Sequence, residues 1–92
     1  MIKSIKHKGL KQLFYKGRTS GVAPDHIEKL QDILSLLDAA VVIEDINFVG
    51  SHLHQLSGDL AGKWSVRING NWRVTFEFID GDVYIVDYLD YH

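Results

Sequence analysis

Hydrophobic and polar positions alternate most regularly over WSVRINGNWRVTF, from Trp64 to Phe76. Trp64, Val66 and Ile68 interleave with Ser65, Arg67 and Asn69, and Trp72, Val74 and Phe76 then interleave with Arg73 and Thr75. A period of two predicts two half-buried strands. Asn69, Gly70 and Asn71 between them tolerate positive φ and close a hairpin. Parity selects the loop length. A two-residue turn at Gly70 and Asn71 would set Ile68 opposite Arg73 and Val66 opposite Thr75, mixing apolar and polar side chains on each face. A three-residue loop pairs Ile68 with Trp72, Val66 with Val74 and Trp64 with Phe76, which leaves one clean apolar face. It also sets Arg67 directly across from Arg73. Like charges opposite one another destabilise a strand pair unless something negative covers them, and the planar guanidinium fork suits a phosphate. The alternative is an ordinary solvated face on which each arginine pairs with a nearby acid such as Glu77.

The pattern elsewhere predicts elements that pack on this hairpin. Residues 2–7 alternate loosely and are expected to form a short strand. Leu10, Leu13 and Phe14 recur at helical spacing from Gly9 to Lys16, with Gly17 as a stop. After a loop from Arg18 to Ala23, Pro24, Asp25 and Glu28 open a second helix. Proline is pre-organised for a first turn, and acids favour the positive end of the helix dipole. Ile27, Leu30, Ile33, Leu34 and Leu37 give that helix one apolar stripe for the sheet. Residues 39–50 fit a short helix or an irregular connection equally well. His52 to Leu56 read as a strand, and residues 57–62 as a connection into the hairpin. The second hairpin strand ends near Phe78. Asp80-Gly81 then turns the chain into a last strand from Val83 to about Tyr88. A two-residue turn there would pair Val83 with Phe78, Ile85 with Phe76 and Tyr88 with Arg73. The expected fold class is α+β, with two N-terminal helices packed on a mainly antiparallel sheet, in one domain over residues 1–92.

Composition narrows the setting. Without cysteine there is no disulfide framework, no thiolate zinc site and no cysteine nucleophile, and a reducing cytoplasm is the simplest location. No apolar run is long enough for a signal peptide or a membrane span, so no membrane role is expected. The formal net charge of −2 argues against a strongly basic nucleic-acid binder. Its distribution argues the other way. Lys3, Lys6, Lys8, Lys11, Lys16 and Arg18 all precede the first acid, Asp25. Such a patch can hold RNA phosphates or be no more than a solvated surface.

Two groups of residues carry candidate chemistry. His54, Asp90, Tyr91 and His92 can converge with Arg67 and Arg73 around one phosphate. Metal-free RNA cleavage needs a base for the ribose 2′-hydroxyl, an acid for the leaving oxygen and fixed cations for the charge on phosphorus. Imidazole titrates near neutrality and can fill either proton-transfer role. The competing reading of Asp90, Tyr91 and His92 is a frayed chain end. His52 and His54 share a strand face but do not complete a zinc site, and Glu44, Asp45 and Asp59 have no recognised ligand spacing. No metal is expected. Gly58, Gly62 and Gly70 form no phosphate-binding or dinucleotide fingerprint, so no cofactor is expected either.

In this order, these pieces resemble the HigB toxins of the RelE superfamily, the growth-inhibiting halves of bacterial type II toxin-antitoxin pairs. The resemblance runs through the opening MIKS, the KGL, LF and KG of the first helix and the LDAA closing the second. It continues through HQLSGDLAGKWSVRINGNWRVTF to the terminal DYH. It implies a RelE-like microbial ribonuclease fold and a ribosome-dependent endoribonuclease that cuts mRNA in the decoding site. It also implies a helix-turn-helix antitoxin of the HigA type, through which the chain would reach DNA only indirectly. By the resemblance His54, Arg73, Asp90, Tyr91 and His92 form the catalytic set, and Arg67 matches a basic position. Two departures stand out. Ser57 stands where well-known relatives carry lysine, so Lys63 or Arg67 would have to compensate, with Lys6 and Lys8 adding to the RNA-binding surface. The chain is also slightly acidic, whereas RelE-type toxins are usually basic. The competing functions are a non-catalytic RNA-binding module and a weak or inactive toxin homologue that regulates transcription by binding an antitoxin. Parity counts against the first, because it places Trp64 and Trp72 in the core rather than on a stacking surface.

Overall fold

A computed structural model of the chain describes residues 1–58 and 62–90. Helix α1 spans Lys8–Lys16, with His7 Nδ1 accepting from the Leu10 N–H at its start. Gly17 ends it in the left-handed region at φ 67°, where glycine alone is unstrained. A 3-10 turn at Pro24–His26 leads into helix α2, Ile27–Ala39, and a second 3-10 turn covers Ile43–Ile46. The residues that fitted either a helix or a connection thus form one short turn that buries Ile46. Four strands follow: β1 (His54–Gln55), β2 (Trp64–Asn69), β3 (Trp72–Ile79) and β4 (Asp82–Asp90). They form an antiparallel sheet in the order β1-β2-β3-β4.

One face of this sheet meets the helices. Val66, Val74, Phe76, Val83 and Val86 are buried against Leu10, Leu13, Leu30, Ile33, Leu34 and Leu37, and Trp64 and Trp72 pack at the margin of the same core. The helices therefore cover one face only, leaving the arginine face open. Where α1 passes the 18–23 loop the two backbones nearly touch. A Cβ on Gly9 would lie 2.1 Å from the Gly21 carbonyl oxygen.

Residues 2–7 do not form a continuous strand. Ile2 and Ile5 make isolated parallel bridges to Val83 and Val86, and His7 has already become the helix cap. The cause lies on β4. Glu77 opposes Tyr84 and Thr75 opposes Asp87, so Phe76 faces two residues, Ile85 and Val86. This is a β-bulge. Ile85 adopts φ 55°, and its N–H is taken by Ser4 Oγ at 2.8 Å. A β-branched residue is strained in that region. The inserted residue corrects the expected pairings: Val83 does oppose Phe78, but Phe76 faces both Ile85 and Val86 instead of Ile85 alone, and Leu89 rather than Tyr88 lies opposite Arg73. Tyr88 moves to the core face opposite Val74 and is buried.

A second irregularity sits at the tip of the β2-β3 hairpin. Arg67 opposes Arg73, but Asn69 opposes Trp72, so Ile68 has no partner and the turn contains only Gly70 and Asn71. The expected three-residue loop is thus a two-residue turn plus one bulged residue. Both solutions preserve the parity that pairs Val66 with Val74 and Trp64 with Phe76. The strand expected from His52 to Leu56 shortens to two residues because His52 takes φ 48°. The expected connection over residues 57–62 is described only at its ends.

Candidate active site

The antiparallel register sets out the open face in rows. His54 lies opposite Ser65, Ser65 opposite Thr75, and Thr75 opposite Asp87. One row nearer the hairpin tip come Arg67, Arg73 and Leu89. Directly opposed residues share a sheet face, and diagonal neighbours lie about 7–8 Å apart, so one imidazole and two guanidinium groups belong to the same patch. Ser65 and Thr75 are small and almost fully buried between these longer side chains.

Hydrogen bonding orients two of these groups. His54 Nδ1 lies 2.7 Å from the His52 carbonyl oxygen. A carbonyl only accepts, so Nδ1 donates, and Nε2 is the ring nitrogen left for other partners. Arg73 Nη1 donates to the carbonyls of Gly70, at 2.9 Å, and Trp72, at 3.1 Å. Neutral acceptors hold the guanidinium without cancelling its charge. The carboxylates of the open face go to lysines: Lys63 lies 4.0 Å from Glu77, and Lys6 lies 3.9 Å from Asp87. Pairs this exposed add little stability. They do keep Lys6 and Lys63 at the rim of the patch. Lys8 stands apart on α1, where with Lys6, Lys11, Gln12, Tyr15 and Lys16 it lines a shallow basic groove.

Asp90 ends β4 opposite Trp72, next to the Arg73-Leu89 pair. Strand alternation sends side chains at this position to the other face from Arg73, and Asp90 is exposed at the end of the sheet. Tyr91 and His92 lie outside the described residues. Ser57 is exposed. Among the described residues no group of three or more His, Asp or Glu side chains is placed to hold a metal, and Asp59 lies outside them.

Behind the hairpin tip is a cluster that no local pattern in the sequence reveals. His26, at the start of α2, is 4% exposed and reaches two partners far along the chain. Its Nε2 lies 3.1 Å from Asn69 Oδ1 and its Nδ1 lies 2.5 Å from the Tyr88 hydroxyl. Asn69 Oδ1 only accepts, so Nε2 donates and Nδ1 accepts from Tyr88. The Ala23 backbone also lies near enough to the Tyr88 hydroxyl to favour its ionised form slightly. Burial pushes the Tyr88 pKa above its ordinary 10.0, against a smaller opposing pull from Ala23. Trp72 stacks on Tyr88 with ring centroids 4.7 Å apart, and His26 meets Trp72 edge-on at 5.4 Å.

The helices cover one face of the antiparallel sheet, and cations gather on the other. The HigB-like toxin family, described as the RelE-like toxin of type II toxin-antitoxin system HigB, matches residues 3–92. The chain is 51% identical over 92 residues to Endoribonuclease HigB of Proteus vulgaris, covering all of both chains. It is 34% identical to Toxin HigB-1 of Vibrio cholerae serotype O1, covering all of this chain and 98% of that one. A chain of the YoeB-YefM complex from Staphylococcus aureus shares the fold, with a TM-score of 0.63 at 18% identity over 100% of this chain and 98% of that chain. The chain therefore belongs to the HigB-like family of RelE-like toxins of type II toxin-antitoxin systems. Such a toxin has an antitoxin partner. No helix among the described residues is long and apolar enough to cross a membrane.

Proposed function

We propose that this endoribonuclease toxin cuts messenger RNA on the ribosome, without a metal, by turning the RNA's own 2′-hydroxyl on the neighbouring phosphate. The observation that carries this reading is the opposition of Arg67 and Arg73 on the open face, with His54 one row away. Two cations facing each other are unfavourable until an anion lies over them. A phosphate that gains charge in the transition state is stabilised most by such fixed cations.

In the reaction a base removes the 2′-hydroxyl proton, the 2′-oxygen bonds to phosphorus, and the bond from phosphorus to the 5′-oxygen breaks. An acid delivers a proton to that leaving oxygen. The products are a 2′,3′-cyclic phosphate and a 5′-hydroxyl end. His92 serves as base, since strand alternation turns Asp90 away from the Arg73 face, and His54 as acid. Arg73 and Arg67 stabilise the phosphorane, while Tyr91 positions or stacks on a base. Lys63 and Lys6 contact backbone phosphates at the margin, and Lys8 contacts them farther out along α1. The Nε2 of His54 suits proton transfer in either direction, because its Nδ1 proton is committed to His52. The antitoxin partner is of the HigA helix-turn-helix type, and the toxin acts in the cytoplasm.

The test uses purified ribosomes loaded with a defined mRNA. Arg73→Ala and deletion of His92 should each abolish most cleavage. If both cut at the wild-type rate, the assignment of the site is wrong. Growth arrest on induction, relieved by a co-expressed helix-turn-helix partner, separates an active toxin from an inactive homologue.

A further inference from the structure

We propose that His26 is a positioning residue for Arg73: by bonding Asn69 it fixes the turn whose carbonyls hold the guanidinium. The inference rests on the reading of Arg73 as the cation over the phosphate. Asn69, Gly70 and Asn71 are all exposed, so no apolar packing anchors the turn itself. Exposed loop tips ordinarily move on nanosecond to microsecond timescales. Yet one of these residues supplies an acceptor for Arg73, since the Gly70 carbonyl receives Nη1 at 2.9 Å. A mobile turn would carry the guanidinium with it.

What restrains the turn comes from the opposite layer of the fold. His26 reaches through the core margin and donates from Nε2 to Asn69, the residue immediately before Gly70. The imidazole cannot swing away, because Tyr88 donates to its Nδ1 and the Trp72 ring stands against its edge. Trp72 provides the second carbonyl for Arg73 and is itself stacked on Tyr88. Both acceptors of the Arg73 side chain are therefore tied, directly or through one neighbour, to the buried His26-Tyr88 pair. His26 touches neither phosphate nor ribose in this arrangement. It acts only through the turn.

Asn69→Ala removes the acceptor at an exposed position and should leave the fold intact. Asn69→Asp keeps an oxygen for the Nε2 proton. Single-turnover cleavage of ribosome-bound mRNA is measured for both, alone and combined with Arg73→Ala, beside ¹⁵N relaxation of the Arg73 Nε–H in the free toxin. Small displacements of a catalytic group are costly, so Asn69→Ala should slow cleavage about 10-fold. Asn69→Asp should restore it, and the 10-fold effect should vanish once Arg73 is alanine. Arg73 should also become more mobile in Asn69→Ala, and in His26→Phe where that variant folds. An equal loss with and without Arg73, or unchanged Arg73 mobility in Asn69→Ala, overturns the proposal. Wild-type cleavage by Arg73→Ala alone would sink the active-site reading instead, and the relaxation data, which need no RNA, would still decide whether the turn holds the guanidinium.

Discussion

Arg67 and Arg73 face each other across β2 and β3, while Glu77 and Asp87 on the same face lie beside Lys63 and Lys6. Directly opposed like charges cost a strand pair roughly 0.2–1 kcal/mol. Arg67→Gln should therefore leave stability unchanged or raise it by a few tenths of a kcal/mol. The same substitution removes a cation from the phosphate site and should slow cleavage by about 10-fold to 10²-fold, with Arg73→Ala costing about 10²–10³. Urea unfolding beside single-turnover cleavage measures both. Arg67→Gln that unfolds more easily while cutting normally would mean that the pair is structural.

His54 gives a separate prediction because its two ring nitrogens have different jobs. Asparagine can reproduce the Nδ1 donor to the His52 carbonyl but offers no group that titrates near neutrality. His54→Asn should keep the local backbone and lose about 10²–10⁴ in cleavage rate, the usual worth of a general acid or base. One limb of the pH-rate profile should disappear with it. A profile that keeps both limbs at a reduced rate would assign His54 to binding rather than proton transfer.

The arginine pair could be read from the sequence because it depends only on alternation. Trp64, Val66, Val74 and Phe76 share a face only in registers of one parity, and with a loop this short that parity puts Arg67 opposite Arg73. Tyr88 was beyond such reasoning. Its side depends on the extra residue at Ile85, and nothing in VYIVDY marks a β-branched residue as the one to adopt positive φ. The strain there is accepted because Ser4 satisfies the Ile85 N–H and the bulge keeps Val86 and Tyr88 in the core. His26 was hidden for another reason. Its partners Asn69 and Tyr88 lie 43 and 62 positions away, beyond any periodicity. The Tyr91 and His92 assignments rest on chain order and on the family resemblance.

Gly9 and Gly21 form a backbone contact that no larger residue allows. Alanine is intrinsically better in a helix than glycine, by up to about 1 kcal/mol, which would favour Gly9→Ala in isolation. The new Cβ, however, would lie 2.1 Å from the Gly21 carbonyl oxygen. A backbone atom cannot rotate aside as a side chain can. Overpacking of about 1–3 kcal/mol should win, giving a net loss of stability. The midpoint of urea unfolding should fall. A Gly9→Ala protein as stable as the wild type would show that the 18–23 loop shifts freely.

Tyr88 makes stability depend on pH on the alkaline side. Its pKa in the folded protein is raised above 10.0, chiefly because burial disfavours the phenolate. The folded state therefore holds this proton more tightly than the unfolded chain does. That stabilising contribution is complete below pH 10 and is lost as the pH rises through the folded-state pKa. Tyr88→Phe should be less stable near neutrality by about 1 kcal/mol, since His26 Nδ1 loses its donor. It should also lose less stability than the wild type as the pH is raised beyond 10. Measuring the difference in unfolding free energy between the two proteins against pH cancels the titration of the other tyrosines and of the lysines. That difference should shrink steadily above pH 10 and stay flat below it. A difference that is constant across the alkaline range would mean that Tyr88 ionises as freely in the folded protein as in the unfolded chain, and that its hydroxyl is not buried against His26.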